Sequence, residues 1–177
     1  MNVGANSPTE YGKYFAWGDA VGYYDNEVHD FSWDVYKYGD GSGFTKYDVT
    51  DGKTILDLED DAVHVEMGGD WHMPTNAQFV ELINETNHEW IENYQGSGIN
   101  GRLFTSKTNS AKSIFIPASG YRYNDLVDIQ DYYARLWSSS RRADTPSSGL
   151  FLSFYSGGCG VYDYRRFHGF CVRGVIG

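Results

Sequence analysis

Residues 75–83 of this 177-residue chain carry a complete sequence signal for a helix, and the rest of the chain carries little such signal. Thr75 and the glutamine three residues later form a capping box, in which each side chain bonds the other residue's backbone N–H. Phe79, Leu82 and Ile83 follow at helical spacing. The pattern predicts an amphipathic helix that begins at Thr75 and ends near residues 86–87.

The remaining apolar runs are short and have the period of strands. Residues 103–106 and 113–116 have strand character, and a proline ends the second run. After that proline no helical period recurs, apart from a turn expected near Leu126. Residues 151–155 and 170–173 alternate in polarity, which predicts half-buried strands.

Two segments before the helix have a composition of their own. Residues 25–53 are rich in Asp, Gly, Ser and Tyr, which predicts a long ordered loop. Residues 56–65 predict a short helix that carries the acidic run Glu59-Asp60-Asp61. One or two helices with many short strands define an α+β domain. The length is that of one domain, so residues 1–177 are expected to fold as a single unit.

The net charge of −10 is unevenly distributed along the chain. Residues 1–140 hold 9 Lys and Arg against 22 Asp and Glu, whereas residues 141–177 hold 5 Arg against 2 Asp. Nucleic-acid binding requires a broad basic surface, so no nucleic-acid partner is expected. No run reaches the about 18 apolar residues of a membrane span, so no membrane insertion is expected. The first residues lack the basic start and apolar run of a signal peptide.

The C-terminal segment is unusual in what it omits. Residues 138–177 contain no Lys, Glu, Gln, Met, Trp or Asn, although residues 1–137 contain all six. Ser, Gly, Arg, Tyr and Phe dominate instead, and Tyr reaches 15 copies in the whole chain. Strand composition alone also disfavours Lys, Glu and Asn. It does not account for the simultaneous loss of Met, Gln and Trp.

Five motifs occur in a fixed order along the chain. They are YGKYFAWGD (11–19), GGDWHMPT (68–75), IPASGYR (116–122), LWSSS (136–140) and GFCVR (169–173). In that order they resemble the motifs of a group of bacterial and phage domains with the C-type lectin fold. The group includes the variable proteins of diversity-generating retroelements and is related in fold to formylglycine-generating enzymes. The resemblance covers nearly the whole chain, although members usually have a further strand before residues 2–5.

The resemblance implies a non-enzymatic, cofactor-free binding protein whose C-terminal face varies in sequence. Such retroelements randomise adenines, mainly in AAY codons, and the resulting NNY codons cannot encode Lys, Glu, Gln, Met or Trp. The gap in residues 138–177 matches this restriction. Residues 1–120 are then a scaffold and residues 121–173 a variable region. The expected partner is a protein or glycan on another cell or particle, met by a chain displayed on a phage or bacterial surface.

Strand alternation separates scaffold positions from displayed positions in this region. The serines at 138–140 are expected to bond loop backbone groups. The positions expected to point inward are Leu136, Trp137, Leu152, Phe154, Val161, Phe170 and Val172. The positions expected to face a ligand are Tyr123, Asp125, Tyr132, Tyr133, Arg135, Arg141, Arg142, Asp144, Phe151, Ser153, Tyr155, Tyr162, Asp163, Tyr164, Phe167 and His168. Tyr and Arg offer large contact areas with few torsions to freeze, as in antibody loops.

Three alternative functions are weighed against a diversified binding protein. A calcium-dependent lectin would need Glu-Pro-Asn, Gln-Pro-Asp or Trp-Asn-Asp, and none occurs; the acidic run near residue 59 is interpreted as a solvated helix start. A formylglycine-generating type of enzyme would use a copper-binding cysteine pair, whose expected context Cys159 and Cys171 do not match. A fixed carbohydrate-binding or adhesion domain of a bacterial surface protein is the third alternative.

The remaining candidates for chemistry are few. Cys159 and Cys171 either form one disulfide between neighbouring strands or are unpaired products of diversification, with Cys171 expected to face outward. His64, Glu66 and His72 could be combined as metal ligands, but a structural hydrogen bond is the preferred interpretation for His72. No metal site is therefore expected.

Overall fold

A computed structural model describes all residues from 1 to 177 and is an α+β fold, as predicted. No helix in it combines the length and apolar character required to cross a membrane. Two short 3-10 helices occur at Leu58–Asp60 and Tyr94–Gly96. The α-helices are α1 (Ala62–Met67) and α2 (Asn76–Glu85). The strands are β1 (Tyr14–Phe15), β2 (Trp71–His72), β3 (Thr86–Ile91), β4 (Gly101–Ser106), β5 (Ser113–Pro117), β6 (Tyr121–Tyr123), β7 (Leu126–Asp128), β8 (Tyr133–Arg141), β9 (Ser148–Tyr155), β10 (Gly158–Arg165), β11 (Phe170–Cys171) and β12 (Val175–Ile176).

Helix α2 begins and ends where the sequence predicts. The Thr75 hydroxyl accepts from the Gln78 N–H at 3.2 Å, and the Gln78 side chain accepts from the Thr75 N–H at 2.8 Å. Both bonds satisfy amide groups that a helix start leaves unpaired. Phe79 is buried, and Leu82 packs beside it on the same core.

The acidic segment before α2 differs from its prediction. Instead of one helix over residues 56–65, a 3-10 turn at Leu58–Asp60 precedes α1. Asp61 separates the two because its carboxylate accepts from the N–H groups of Val63 and His64, both at 3.0 Å. The same carboxylate accepts from the Met73 N–H at 2.8 Å, which holds the entry to α2 against α1. A solvated helix start is therefore the wrong interpretation, since Asp61 is buried.

A five-stranded sheet in the order β1-β11-β8-β9-β10 organises the C-terminal half. Its strands are antiparallel except for the β11–β8 pair, which is parallel. Strands β3, β4 and β5 form a separate antiparallel sheet, and β2 pairs with β12. The segment expected to turn near Leu126 is strand β7, which pairs with β6. The two ends of the chain also meet, because the Val3 N–H donates to the Val172 carbonyl at 2.9 Å.

The two faces of β8 and β9 carry different side chains. Ala134, Leu136, Leu152 and Phe154 are completely buried and pack with Phe79 of α2 in one core. This is the alternation predicted from the sequence, and it leaves the intervening residues for the opposite face. Burying one face fixes the strand register, because a shift of one residue would exchange the two faces.

Residues 25–53 contain no helix or extended strand, as predicted for a long ordered loop. The loop is held by aromatic side chains packed around Arg166, whose guanidinium lies 4.0 Å from the Phe44 ring centroid. Arg166 also donates to the Tyr47 carbonyl at 3.1 Å, and the Tyr47 hydroxyl donates to the Asp60 carboxylate at 2.7 Å. The loop is thus tied both to the main sheet and to the segment before α1.

Candidate functional site

The open face of β8, β9 and β10 contains a cleft with a volume of about 310 Å³. We call it the tyrosine cleft. It is lined by Tyr133, Arg135, Phe151, Ser153, Tyr155, Tyr162, Asp163 and Tyr164. All eight belong to the set predicted to face a ligand, so one surface collects half of that set. A volume near 300 Å³ is at the lower end for small-ligand sites.

The strand register explains why a depression forms. Arg135 on β8 is opposite Ser153 on β9, which is opposite Gly160 on β10. Ser153 and Gly160 are small, and the rows on either side carry the larger rings of Tyr155 and Phe151. A groove bounded by aromatic rings therefore crosses the sheet from the β10 edge toward Arg135.

Glycines on β10 let two tyrosines lie close to the strand. A Cβ atom at Gly158 would be 3.2 Å from the Tyr155 ring, and one at Gly160 would be 3.1 Å from the Tyr162 hydroxyl. Tyr155 also stacks on Tyr133, with ring centroids 4.9 Å apart. The rings remain accessible, since Tyr155 is 40% and Tyr162 is 56% exposed. Such half-exposed tyrosines combine apolar contact area with hydrogen-bonding hydroxyls.

Arg135 is the only cationic residue that lines the tyrosine cleft. Its guanidinium carbon lies 4.1 Å from the Tyr121 ring centroid and 5.2 Å from that of Tyr164. Burial lowers the pKa of Arg135 from its usual value, although an arginine remains charged at neutral pH. The cleft therefore combines a desolvated positive charge with aromatic walls.

The acidic residue of the cleft is already paired. Asp163 accepts from Arg142 at 3.0 Å, and Arg142 also donates to Asp144 at 2.6 Å. The hydrogen bond from Arg142 lowers the pKa of Asp144. This exposed triad occupies the rim, where ion pairs contribute little to stability. It leaves the charge of Arg135 as the distinctive electrostatic feature of the cleft.

Comparison of the chain with protein-family models, curated proteins and solved structures finds no match. Six of the eight cleft residues lie in the segment that lacks Lys, Glu, Gln, Met, Trp and Asn. The other two, Tyr133 and Arg135, lie on β8 just before that segment.

Four residues predicted to face outward are buried. A register shift between Trp137 and Arg141 interrupts the alternation of β8, so Arg141 points inward and donates to the Lys53 carbonyl at 2.6 Å. Phe151 is buried against Trp137, with centroids 5.7 Å apart, although its edge still lines the cleft. The other two are Phe167 and His168.

Phe167 and His168 belong to an aromatic cluster beyond the end of β10. Their rings are stacked with centroids 4.1 Å apart, and Trp33 of the long loop lies 4.8 Å from Phe167. Burial lowers the pKa of His168 to about 4, so its imidazole is neutral at pH 7. Tyr123 stacks on His168 at 5.3 Å and remains 45% exposed. The alternation rule failed here because these residues follow the strand and lie in a turn.

The residues of the predicted set outside the cleft are mostly exposed. Asp125 and Tyr132 face outward but line no part of the cleft. The predicted inward positions are buried except for Val161, which is half-buried and packs against the core beneath α2. The serine prediction holds for Ser139, which donates to the Pro74 carbonyl of the loop before α2 at 3.4 Å, whereas Ser138 donates to the Leu150 carbonyl of β9 at 2.7 Å and the Ser140 hydroxyl accepts from the Asn76 N–H of α2 at 3.0 Å.

The cysteines are free. Cys159 lies on β10 and Cys171 on β11, with β8 and β9 between them, so the neighbouring-strand disulfide is not formed. Cys171 is completely buried rather than outward-facing, and its thiol donates to the Tyr11 carbonyl at 3.2 Å. Burial raises the pKa of Cys159 to about 11 and that of Cys171 to about 12, so both stay protonated at neutral pH.

The acidic cluster near α1 surrounds a lysine. Lys46 Nζ lies 2.8 Å from carboxylate oxygens of Asp57 and Glu59 and 2.5 Å from Asp60. An ammonium group therefore occupies the centre of the oxygen cluster. The histidine considered as a metal ligand, His72, instead has its Nδ1 3.1 Å from the Asp70 carbonyl, which agrees with the predicted structural hydrogen bond.

The sequence did not predict that Tyr121 would lie beside the tyrosine cleft. It belongs to the IPASGYR motif and was not among the positions predicted to face a ligand, yet its ring lies closest to the Arg135 guanidinium. Its hydroxyl donates to Asp128 at 3.2 Å across the β6–β7 pair. The bridge between Gly120 and Ala134 brings the start of β6 beside β8, although Tyr121 and Arg135 belong to different sheets.

Proposed function

We propose that this chain is a non-enzymatic ligand-binding protein with a C-type lectin-like fold and a diversified binding face. The observation that carries the proposal is the tyrosine cleft. All its side chains are Tyr, Arg, Phe, Ser or Asp, each of which an NNY codon can encode. The same strands bury apolar side chains on their other face. The residues proposed to contact a ligand are thus largely distinct from those that form the core.

Several features support the lectin-like fold. The chain ends pair through Val3 and Val172, and a long loop without regular structure covers one side of the main sheet. The resemblance motifs fall at structural positions: GGDWHMPT caps α2, the arginine of IPASGYR is completely buried, and LWSSS supplies the buried Trp137. Motifs that stabilise the scaffold leave the tyrosine cleft free to change.

The expected partner is a protein or glycan on another cell or particle, met from a phage or bacterial surface. Tyr and Arg are enriched at the energetic centres of protein interfaces. The exposed Tyr123, Tyr132 and the Arg142 triad extend the face beyond the cleft. A fixed adhesion domain would use the same surface without sequence variation.

Randomisation of the face is expected to leave the fold intact. In a displayed library with NNY codons at Tyr133, Ser153, Tyr155, Tyr162 and Tyr164, most members should keep protease resistance. Substitutions at exposed sites usually change stability by about 0.5 kcal/mol or less. Resistance is measured by sorting after a protease pulse.

The matched control library randomises the same number of positions on the opposite face and in the core. It uses NNY codons at Leu136, Trp137, Leu152, Phe154 and Phe170, all completely buried. Each large-to-small change there costs about 2–5 kcal/mol, so few members should survive. Equal survival of the two libraries would refute the proposed division of the sheet.

A further inference from the structure

Arg135 differs from the other buried and half-buried arginines of the chain in its hydrogen bonding. Those arginines all donate to backbone carbonyl groups; they are Arg102, Arg122, Arg141, Arg166 and Arg173. Arg135 donates to no carbonyl, and its Nη1 is buried without a hydrogen-bond partner. A guanidinium has five N–H donors, and burying them unpaired is costly.

No carboxylate of the chain forms an ion pair with Arg135. Asp163 of the cleft is 3.0 Å from Arg142 and forms no ion pair with Arg135. Asp128 accepts from the Tyr121 hydroxyl at 3.2 Å instead. The aromatic rings around Arg135 stabilise a cation through their faces but accept no conventional hydrogen bond. The site thus lacks the acceptor that normally accompanies a desolvated arginine.

The shape of the cleft admits such an acceptor from outside. The groove through Ser153 and Gly160 leads from the sheet edge toward Arg135. The rings that line the groove are Tyr and Phe, which are enriched together with Arg in protein–protein interfaces.

We propose that the tyrosine cleft binds an acidic side chain of a protein partner, with its carboxylate received by Arg135. This inference rests on the proposed binding function and assigns the chemistry of its ligand. The guanidinium pairs with a carboxylate more strongly in this desolvated setting than in water. The tyrosine rings pack on the aliphatic part of the side chain.

Titration with two capped tripeptides tests the proposal on the intact chain. The probes are acetylated, amidated Gly-Glu-Gly and Gly-Gln-Gly, which differ only in the charge of the central side chain. Binding is followed by NMR through the Nε–H resonance of Arg135. The Glu peptide is expected to shift this resonance and to bind about tenfold more tightly than the Gln peptide, as for a charge-assisted hydrogen bond. Equal binding of the two peptides would overturn the proposal.

Two variants test whether Arg135 causes the preference for Glu, and a sugar carboxylate tests the class of partner. Arg135→Gln should abolish the preference for Glu, whereas Arg165→Gln, which removes an exposed arginine outside the cleft, should retain it. The wild-type resonance remains informative if the first variant does not fold. Tighter binding of glucuronate than of the Glu peptide would contradict the protein partner. Loss of carboxylate binding leaves the tolerance of the face to randomisation intact, so the two proposals fail separately.

Discussion

Replacement of Trp137 by alanine is expected to lower the free energy of unfolding by about 3–5 kcal/mol. The indole is completely buried and stacks on Phe170 with centroids 4.0 Å apart. Its Nε1 donates to the carbonyls of Phe15 and His168 at 2.9 and 3.2 Å, so truncation also leaves two buried acceptors unpaired. Urea denaturation measures the change, and the melting temperature should fall on the order of 10 °C.

The matched control is Tyr162→Ala on the open face of the same sheet. Tyr162 is 56% exposed, so its removal should cost about 1 kcal/mol or less. The loss of stability in Trp137→Ala should exceed that in Tyr162→Ala several-fold. Similar losses of stability would mean that the open face is part of the core after all.

Asp60→Asn is expected to cost about 2–4 kcal/mol of stability at pH 7. The buried carboxylate accepts from Lys37 at 2.9 Å, Lys46 at 2.5 Å and Tyr47 at 2.7 Å, and also from Tyr38. The cost is below that of a fully buried ion pair because both lysines are partly solvated. Glu59→Gln is the control, since Glu59 pairs with the same Lys46 but is exposed, and its loss should cost about 0.5 kcal/mol.

The effect of Asp60 should depend on pH in a defined direction. Burial by itself would raise the pKa of Asp60, but hydrogen bonds from Lys46, Tyr38, Tyr47 and Lys37 hold it well below its usual range. A depressed folded-state pKa stabilises the fold above the unfolded value of about 3.9 and loses this contribution as the pH falls toward the folded value. Urea denaturation of wild type and Asp60→Asn should therefore begin to converge below about pH 5 and keep converging as the pH falls below the unfolded value of about 3.9 toward the folded-state pKa. A difference that stays constant over this range would contradict the network.

Local signals predicted the elements that depend on neighbouring residues. The capping box located α2 because Thr75 and Gln78 bond each other directly. Alternation identified the core face of β9 because Leu152 and Phe154 face α2 on a regular strand. The same rule failed at Arg141, where a register shift in β8 inverts the direction of the side chain.

Contacts between distant segments could not be predicted in this way. The pairing of Lys46 with Asp60 depends on the path of the long loop, so the acidic run was misread as solvated. Likewise the environment of Arg135 depends on Tyr121 from another sheet. The sequence indicated which residues form the tyrosine cleft, but the unpaired guanidinium within it became visible only when the strands were assembled.

Deep sequencing of the gene segment that encodes residues 121–177 across its source population tests the central claim most directly. The claim is that the tyrosine cleft is diversified while the buried core positions are retained. We expect substitutions to concentrate at NNY codons for cleft residues such as Tyr155 and Tyr162, with Trp137, Phe154 and Val172 unchanged. A uniform segment, or one that varies only synonymously, would contradict the claim and indicate a fixed adhesion domain.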